Sequence, residues 1–208
     1  MPTRVWLLRH AESADPGVFH GAESDVALSG HGYRQARALA PVLAARRPTA
    51  VVSSAMRRAI DTAAPLAAAC GLPLRAEPDL HERRVGALSG TPVTTTEGLW
   101  PATLRRWVEG DTGYAPEGAE SLDAMRGRLL PVWRRLTAEH ADGRLVIVAH
   151  GLVCKVLLLS VLPGWTVADW AKLGPIRNLG VSELAATPDG WEAVRLNAVP
   201  AEVEKMTG

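Results

Sequence analysis

Three short apolar runs in this sequence each stop at polar, reactive side chains. Val5–Leu8 runs into Arg9 and His10, Ala50–Val52 into Ser53 and Ser54 with Arg57 and Arg58 just beyond, and Leu145–Ala149 into His150. A strand of a parallel sheet is covered on both faces and can be nearly all hydrophobic, so these runs read as buried strands. Ligands of such sheets collect beyond the carboxyl ends of the strands, where Arg9, His10 and His150 stand. An imidazole nucleophile beside a guanidinium suits attack on a phosphoryl group, because the guanidinium offers a planar fork of donors to phosphate oxygens. Taken alone, LLRHAES is equally a strand that ends in a surface Arg-His pair.

The rest of the chain alternates strand and helix signals. The first strand is expected over Arg4–Arg9, followed by a loop to Leu28 that has no helical period and is long enough to suggest function. Ser29 can cap a helix with Ala36, Leu39, Ala40 and Leu43 on its inward stripe, closed off by Pro48. A strand at Ala50–Ser53 and a helix to about Cys70 come next, then a short strand at Leu72–Ala76. Glu77 to about Gly118 reads as irregular, with a short helix near Ala102–Val108. Glu120–His140 is helical by the spacing of Leu122, Met125, Leu129, Val132 and Leu136, with a kink expected at Pro131. A strand at Leu145–Ala149 and a buried helix at Gly151–Leu162 follow. Val181–Ala186 and Glu192–Leu196 read as a closing strand pair, turned at Pro188-Asp189-Gly190. Residues from Val199 read as a loose tail. This alternation predicts a layered α/β sheet with right-handed crossovers.

Several function classes are disfavoured. At 208 residues there is room for one domain or at most two. A formal net charge of +1 gives no bulk attraction to nucleic acid or membrane. Runs such as VLLLSVL are far too short to span a bilayer. The N-terminus enters its strand at once and leaves no room for a signal peptide, so a cytoplasmic location is expected. Cys70 and Cys154 lack metal-ligand spacing and are expected to be reduced. With no carboxylate cluster, neither a metal nor another cofactor is expected.

Taken together, four segments resemble the histidine phosphatase superfamily, which includes the cofactor-dependent phosphoglycerate mutases and many small phosphatases. The family's RHG triplet is Arg9-His10-Ala11 here, and its S-x-x-x-R-A-x-x-T-A runs from Ser54 through Arg58 to Ala63. The glutamate of its L-x-E loop is Glu82, and its A-H-G is Ala149-His150-Gly151. LSGHGYRQARALA and PEGAES also match, so the likeness extends from about residue 4 to 185. It implies a three-layer α/β sandwich, with helices on both faces of a mostly parallel sheet. The chain would be a single domain over 1–208, with a lid-like insertion at about 77–118. The implied activity is a metal-independent phosphomonoesterase acting on a small phosphorylated metabolite through a phosphohistidine on His10. Arg9, Arg58 and His150 would bind the phosphoryl oxygens, and Glu82 would be the general acid.

Each assignment has a structural competitor. Register against the motif selects Arg58 over Arg57, while the loop of Glu82 also holds Glu77, Asp79 and His81. Ser13 either adds a hydroxyl to the phosphate or caps a turn. His20, His31 and His140 are most simply surface residues, and the tryptophans packing residues. Arg105 and Arg106 fall about where the mutases carry an arginine pair that binds a substrate carboxylate. That doublet, with Arg83, is a candidate for a second anionic group, against the alternative of a solvated helix face. Glu120 is a further candidate at the site. The sequence departs from the family at Ala11, at Pro16 where an asparagine is usual, and at Val85 and Ser89 where the mutases have tyrosine and glutamine. The mutase lysine that follows is absent. Hydrolysis is therefore expected over phosphoryl transfer to a second hydroxyl, with a mutase as the alternative and a non-catalytic phosphate-binding module ranked last.

Overall fold

The computed structural model describes residues 2–93 and 98–205. Residues 94–97 of the expected insertion, and both ends of the expected 1–208 domain, lie outside that range. Among the described residues the strands are β1 (Arg4–Arg9), β2 (Ala50–Ser54), β3 (Leu74–Glu77), β4 (Arg144–Ala149), β5 (Val181–Thr187) and β6 (Gly190–Ala198). The helices are α1 (Gly30–Ala44), α2 (Arg57–Cys70), α3 (Leu99–Val108), α4 (Leu122–Glu139), α5 (Gly151–Val161), α6 (Trp170–Leu173) and α7 (Ala201–Glu204). The strands form one six-stranded sheet in the order β3-β2-β4-β1-β5-β6. The first four of that order run parallel, and β5 and β6 are each antiparallel to their inner neighbour.

Side chains alternate across the sheet with a period of two, and this builds two cores. Val5 and Leu7 of β1 join Val52, Leu145 and Ile147 under α4 and α5. Trp6 and Leu8 point the other way and join Val51, Val146 and Val148 under α1 and α2. The result is the α/β sandwich expected, a mostly parallel sheet with helices on both faces. Because α1 and α5 leave the ends of β1 and β4 toward opposite faces, a crevice opens between them at the strands' carboxyl edge. The β1–β4 register sets Arg9 opposite Ala149, so His10 and His150 emerge side by side there.

Some local expectations change. The helix α3 starts earlier than expected, at Leu99, and α6 was not anticipated. The helix α4 runs unbroken through Pro131. Burial of Leu129, Val132 and Trp133 offsets the one missing N–H, since packing supplies most helical stability in proteins. Residues 200–205 do not form a loose tail: Val203 on α7 is buried in the core beneath α1 and α2, and Glu204 pairs with Arg177 at 3.0 Å.

Candidate active site

The crevice holds a chamber of about 710 Å³. Arg9, His10, Ser13, Arg58 and Glu82 line it. His150 stands behind, fully buried, with its ring 5.2 Å from that of His10. Each of these side chains is held by a specific contact. His10 follows directly on β1, its backbone N–H donating to Ala149 O at 2.9 Å and its own carbonyl accepting from Asn178 Nδ2 at 2.9 Å. Its Nδ1 lies 2.6 Å from Ala11 O. A carbonyl oxygen can only accept, so Nδ1 carries the proton and Nε2 is left with a lone pair. Thr62 Oγ1 links this loop to α2, accepting from Ala11 N at 3.0 Å and donating to Arg58 O at 2.7 Å.

The cations are fixed by backbone carbonyls. Arg9 Nη1 donates to Ile176 O at 2.8 Å, and Arg58 uses both terminal nitrogens, on Gly21 O at 2.9 Å and Ser24 O at 3.0 Å. Arg9 Nε and His150 Nδ1 are buried and have no hydrogen-bond partner among the described residues. Unsatisfied buried polar atoms are costly and rare in folded proteins, so two beside one histidine suit an acceptor-rich ligand. His150 Nε2 is 2.8 Å from Ser54 Oγ at the end of β2. Burial first, then the nearby Arg9 and Arg58, hold His10 well below the ordinary histidine range; burial first, then Arg58, does the same for His150. Both rings are neutral near pH 7. Glu82 accepts from Arg83 N at 2.8 Å and from Leu152 N, in the first turn of α5, at 3.3 Å.

The other candidates are not brought into the chamber. Arg105 and Arg106 lie on the exposed side of α3; Arg106 Nε donates to Asp111 at 2.8 Å and its guanidinium stacks 3.7 Å from the centroid of Tyr114. Arg83 is wholly buried behind the wall, its guanidinium 4.9 Å from the centroid of Trp107 and 5.4 Å from that of Trp100, and burial pulls its pKa down to about 10. Glu120 accepts from Arg128 Nε at 2.8 Å and from Arg84 N at 2.8 Å. Burial pushes its carboxyl up, but Arg128 and Arg84 together hold it below the usual range. Its place is to brace the loop of Glu82, whose carbonyl is 3.5 Å from Arg128 Nη2.

Three polar side chains of the chamber were not among the expected site residues: His20, Lys155 and Asn178. His20 is half-buried, with Nε2 3.0 Å from Ala14 O and 2.9 Å from Asp15 O. Its signal was the long loop that carries it. Lys155 was visible as one charge inside an apolar helix, whereas nothing in the sequence singles out Asn178. Two tryptophans, Trp100 and Trp170, also line the chamber, with ring centroids 6.0 Å apart.

The chain is similar to several known phosphatases. A glucosyl-3-phosphoglycerate phosphatase of Mycolicibacterium vanbaalenii is 33% identical over 190 residues, covering 88% of this chain and 84% of its own. A metal-independent phosphoserine phosphatase of Arabidopsis thaliana is 33% identical, covering 76% of this chain and 68% of its own. The structure of a mycobacterial glucosyl-3-phosphoglycerate phosphatase in complex with inorganic phosphate is 32% identical and superposes with a TM-score of 0.78, covering 94% of this chain and 97% of that one. The family model of the histidine phosphatase superfamily, branch 1, matches residues 5–199. The chain belongs to that superfamily and is a phosphoric monoester hydrolase.

Proposed function

We propose that the chain is a metal-independent phosphomonoesterase that passes the phosphoryl group through His10, on substrates of the small phosphorylated kind that its relatives' names describe. The observation that carries this reading is a neutral His10 with its Nε2 lone pair free, between two fixed guanidinium groups. His10 Nε2 attacks phosphorus, a P–N bond forms, and the bond from phosphorus to the ester oxygen breaks. Glu82 gives that oxygen a proton, and the alcohol leaves. Water then attacks the phosphohistidine while Glu82 takes its proton, releasing inorganic phosphate and restoring both side chains. Arg9 and Arg58 hold the equatorial oxygens, with His150 as a neutral donor. Oriented in advance, they need no reorganisation as charge moves. The segment between β3 and α4 acts as a lid, with Trp100 and Leu104 of α3 turned to the chamber.

Brief mixing with a phosphate ester labelled on phosphorus tests the mechanism. An acid-labile, base-stable adduct should form and should be lost in His10→Ala. A stable serine ester, or full turnover with no labelled protein, would overturn it. Chelators should leave the rate unchanged, and strict dependence on an added divalent metal would contradict the charge clamp. With 3-phosphoglycerate, inorganic phosphate should accumulate; 2-phosphoglycerate forming faster would turn the reading to a mutase.

A further inference from the structure

The chamber has two halves of opposite character. Arg9, Arg58 and Glu82 surround His10, whereas the other half is walled by Phe19, Trp100, Leu104 and Trp170. In that apolar half, Lys155 carries the one formal charge among the described lining residues. It is 5% exposed, on a helix whose other buried positions are valine, leucine and cysteine. Burying an ammonium in such a place is costly unless its charge is used. Its Nζ donates to Gly174 O at 2.5 Å and lies 4.6 Å from the centroid of Trp170. An ammonium has three donors, and among the described residues no second acceptor engages this one. Arg9 is tied to Ile176 O, two residues further along the same strap. At most roughly 7 Å of chain separates the two anchor residues, so one small phosphate ester can reach both cations.

We propose that Lys155 selects leaving groups that bear a carboxylate, which makes the preferred substrates phosphate esters of small, otherwise apolar hydroxy acids. This rests on the phosphatase reading above. A carboxylate brings one charge and two acceptor oxygens, which suits one ammonium with donors to spare. A second phosphate would set two charges against tryptophan rings with a single cation to meet them. Arg105 and Arg106, which the sequence suggested for this contact, face away from the chamber.

The test compares 3-carboxyphenyl phosphate with its carboxamide, leaving groups alike in size and acidity, using the full chain. Wild type should favour the carboxylate in kcat/KM by about tenfold or more, the scale of a charged hydrogen bond. Lys155→Met should bring the ratio near one, and Lys155→Arg should keep part of it. Burial pushes the Lys155 ammonium down to about 8. The wild-type preference should therefore be full below that pH and fade as pH rises through it, while the carboxylate stays ionised. Arg9, His10, His20, Arg58 and Glu82 act on both substrates alike, so the ratio cancels their titrations. That profile decides the matter even if Lys155→Met does not fold. Equal rates in wild type, a preference that survives Lys155→Met, or one indifferent to pH would overturn the proposal. Failure to turn over either ester, or 4-nitrophenyl phosphate, would instead bring down the phosphatase reading beneath it.

Discussion

At the residue scale, the chemistry divides between groups that hold the phosphoryl oxygens and one that serves the leaving group. Glu82→Gln removes the proton donor and keeps one acceptor oxygen, which can serve Arg83 N or Leu152 N but not both. It should slow alkyl phosphates by about 10²–10⁴-fold and aryl phosphates far less, because a phenolate leaves without a proton. Equal losses on both would mean that Glu82 is not the acid. Arg105→Ala and Arg106→Ala should leave kcat/KM unchanged on carboxylate and neutral esters alike, measured in the same assays. The place of these arginines was in fact legible. Trp100, Thr103, Leu104 and Trp107 follow a helical period, so a helix burying them must turn Arg105 and Arg106 outward. Only the likeness to the mutases argued for the other placement. Lys155 stands out as one charge inside an apolar helix, but its surroundings were illegible, since its neighbours Trp170 and Gly174 come from a segment with no strong local signal.

At the element scale, the strands that carry the site were readable because apolar runs, turn residues and the partner helices all agreed. What the sequence hid was how α1 is fastened to the loop after His10. Ser29 caps α1 by accepting from Gly32 N at 2.9 Å and also donates to Glu12 Oε1 at 2.6 Å. Gly32 lies against the backbone of Glu12, and a Cβ there would collide with the Glu12 carbonyl oxygen. This close approach joins two elements, and no helix period reports it. Gly32→Ala should destabilise the fold by about 1–3 kcal/mol, the usual cost of forcing atoms into a packed contact. It should also lower activity, because the displaced loop carries His10 and Ala11. Urea unfolding and kcat measured on the same preparation check both. An unchanged midpoint would mean that the helix can slide away from the loop freely. The terminal α7 was missed for a similar reason: Val203 is a lone apolar anchor in a polar stretch, and only the groove beneath α1 and α2 gives it a partner.

At the scale of the whole molecule, keeping two histidines neutral and buried at the sheet's edge makes stability depend on pH. Both rings titrate well below the ordinary value of 6.5 in the folded chain, chiefly through burial. Below about pH 6.5 the unfolded chain takes up protons that the native state refuses, so the unfolding free energy falls as pH falls. Each histidine contributes a slope of up to about 1.36 kcal/mol per pH unit, reached only well below 6.5 and lost again once the native ring titrates. Carboxylates have their own, lower window. Glu120, raised by burial but lowered more by Arg128 and Arg84, and Glu139, held down by Arg75 and Arg135, weaken the fold only as they protonate from about 4.5 downward. Urea unfolding between about pH 7.5 and 5 therefore isolates the histidines. The free energy should be flat at first and then drop with a slope above that of one group, and His10→Gln should remove about half of the drop. A profile flat throughout would mean that the native rings titrate normally. His10 would then be protonated over much of the acid range, and the neutral nucleophile on which the proposed mechanism depends would be lost with it.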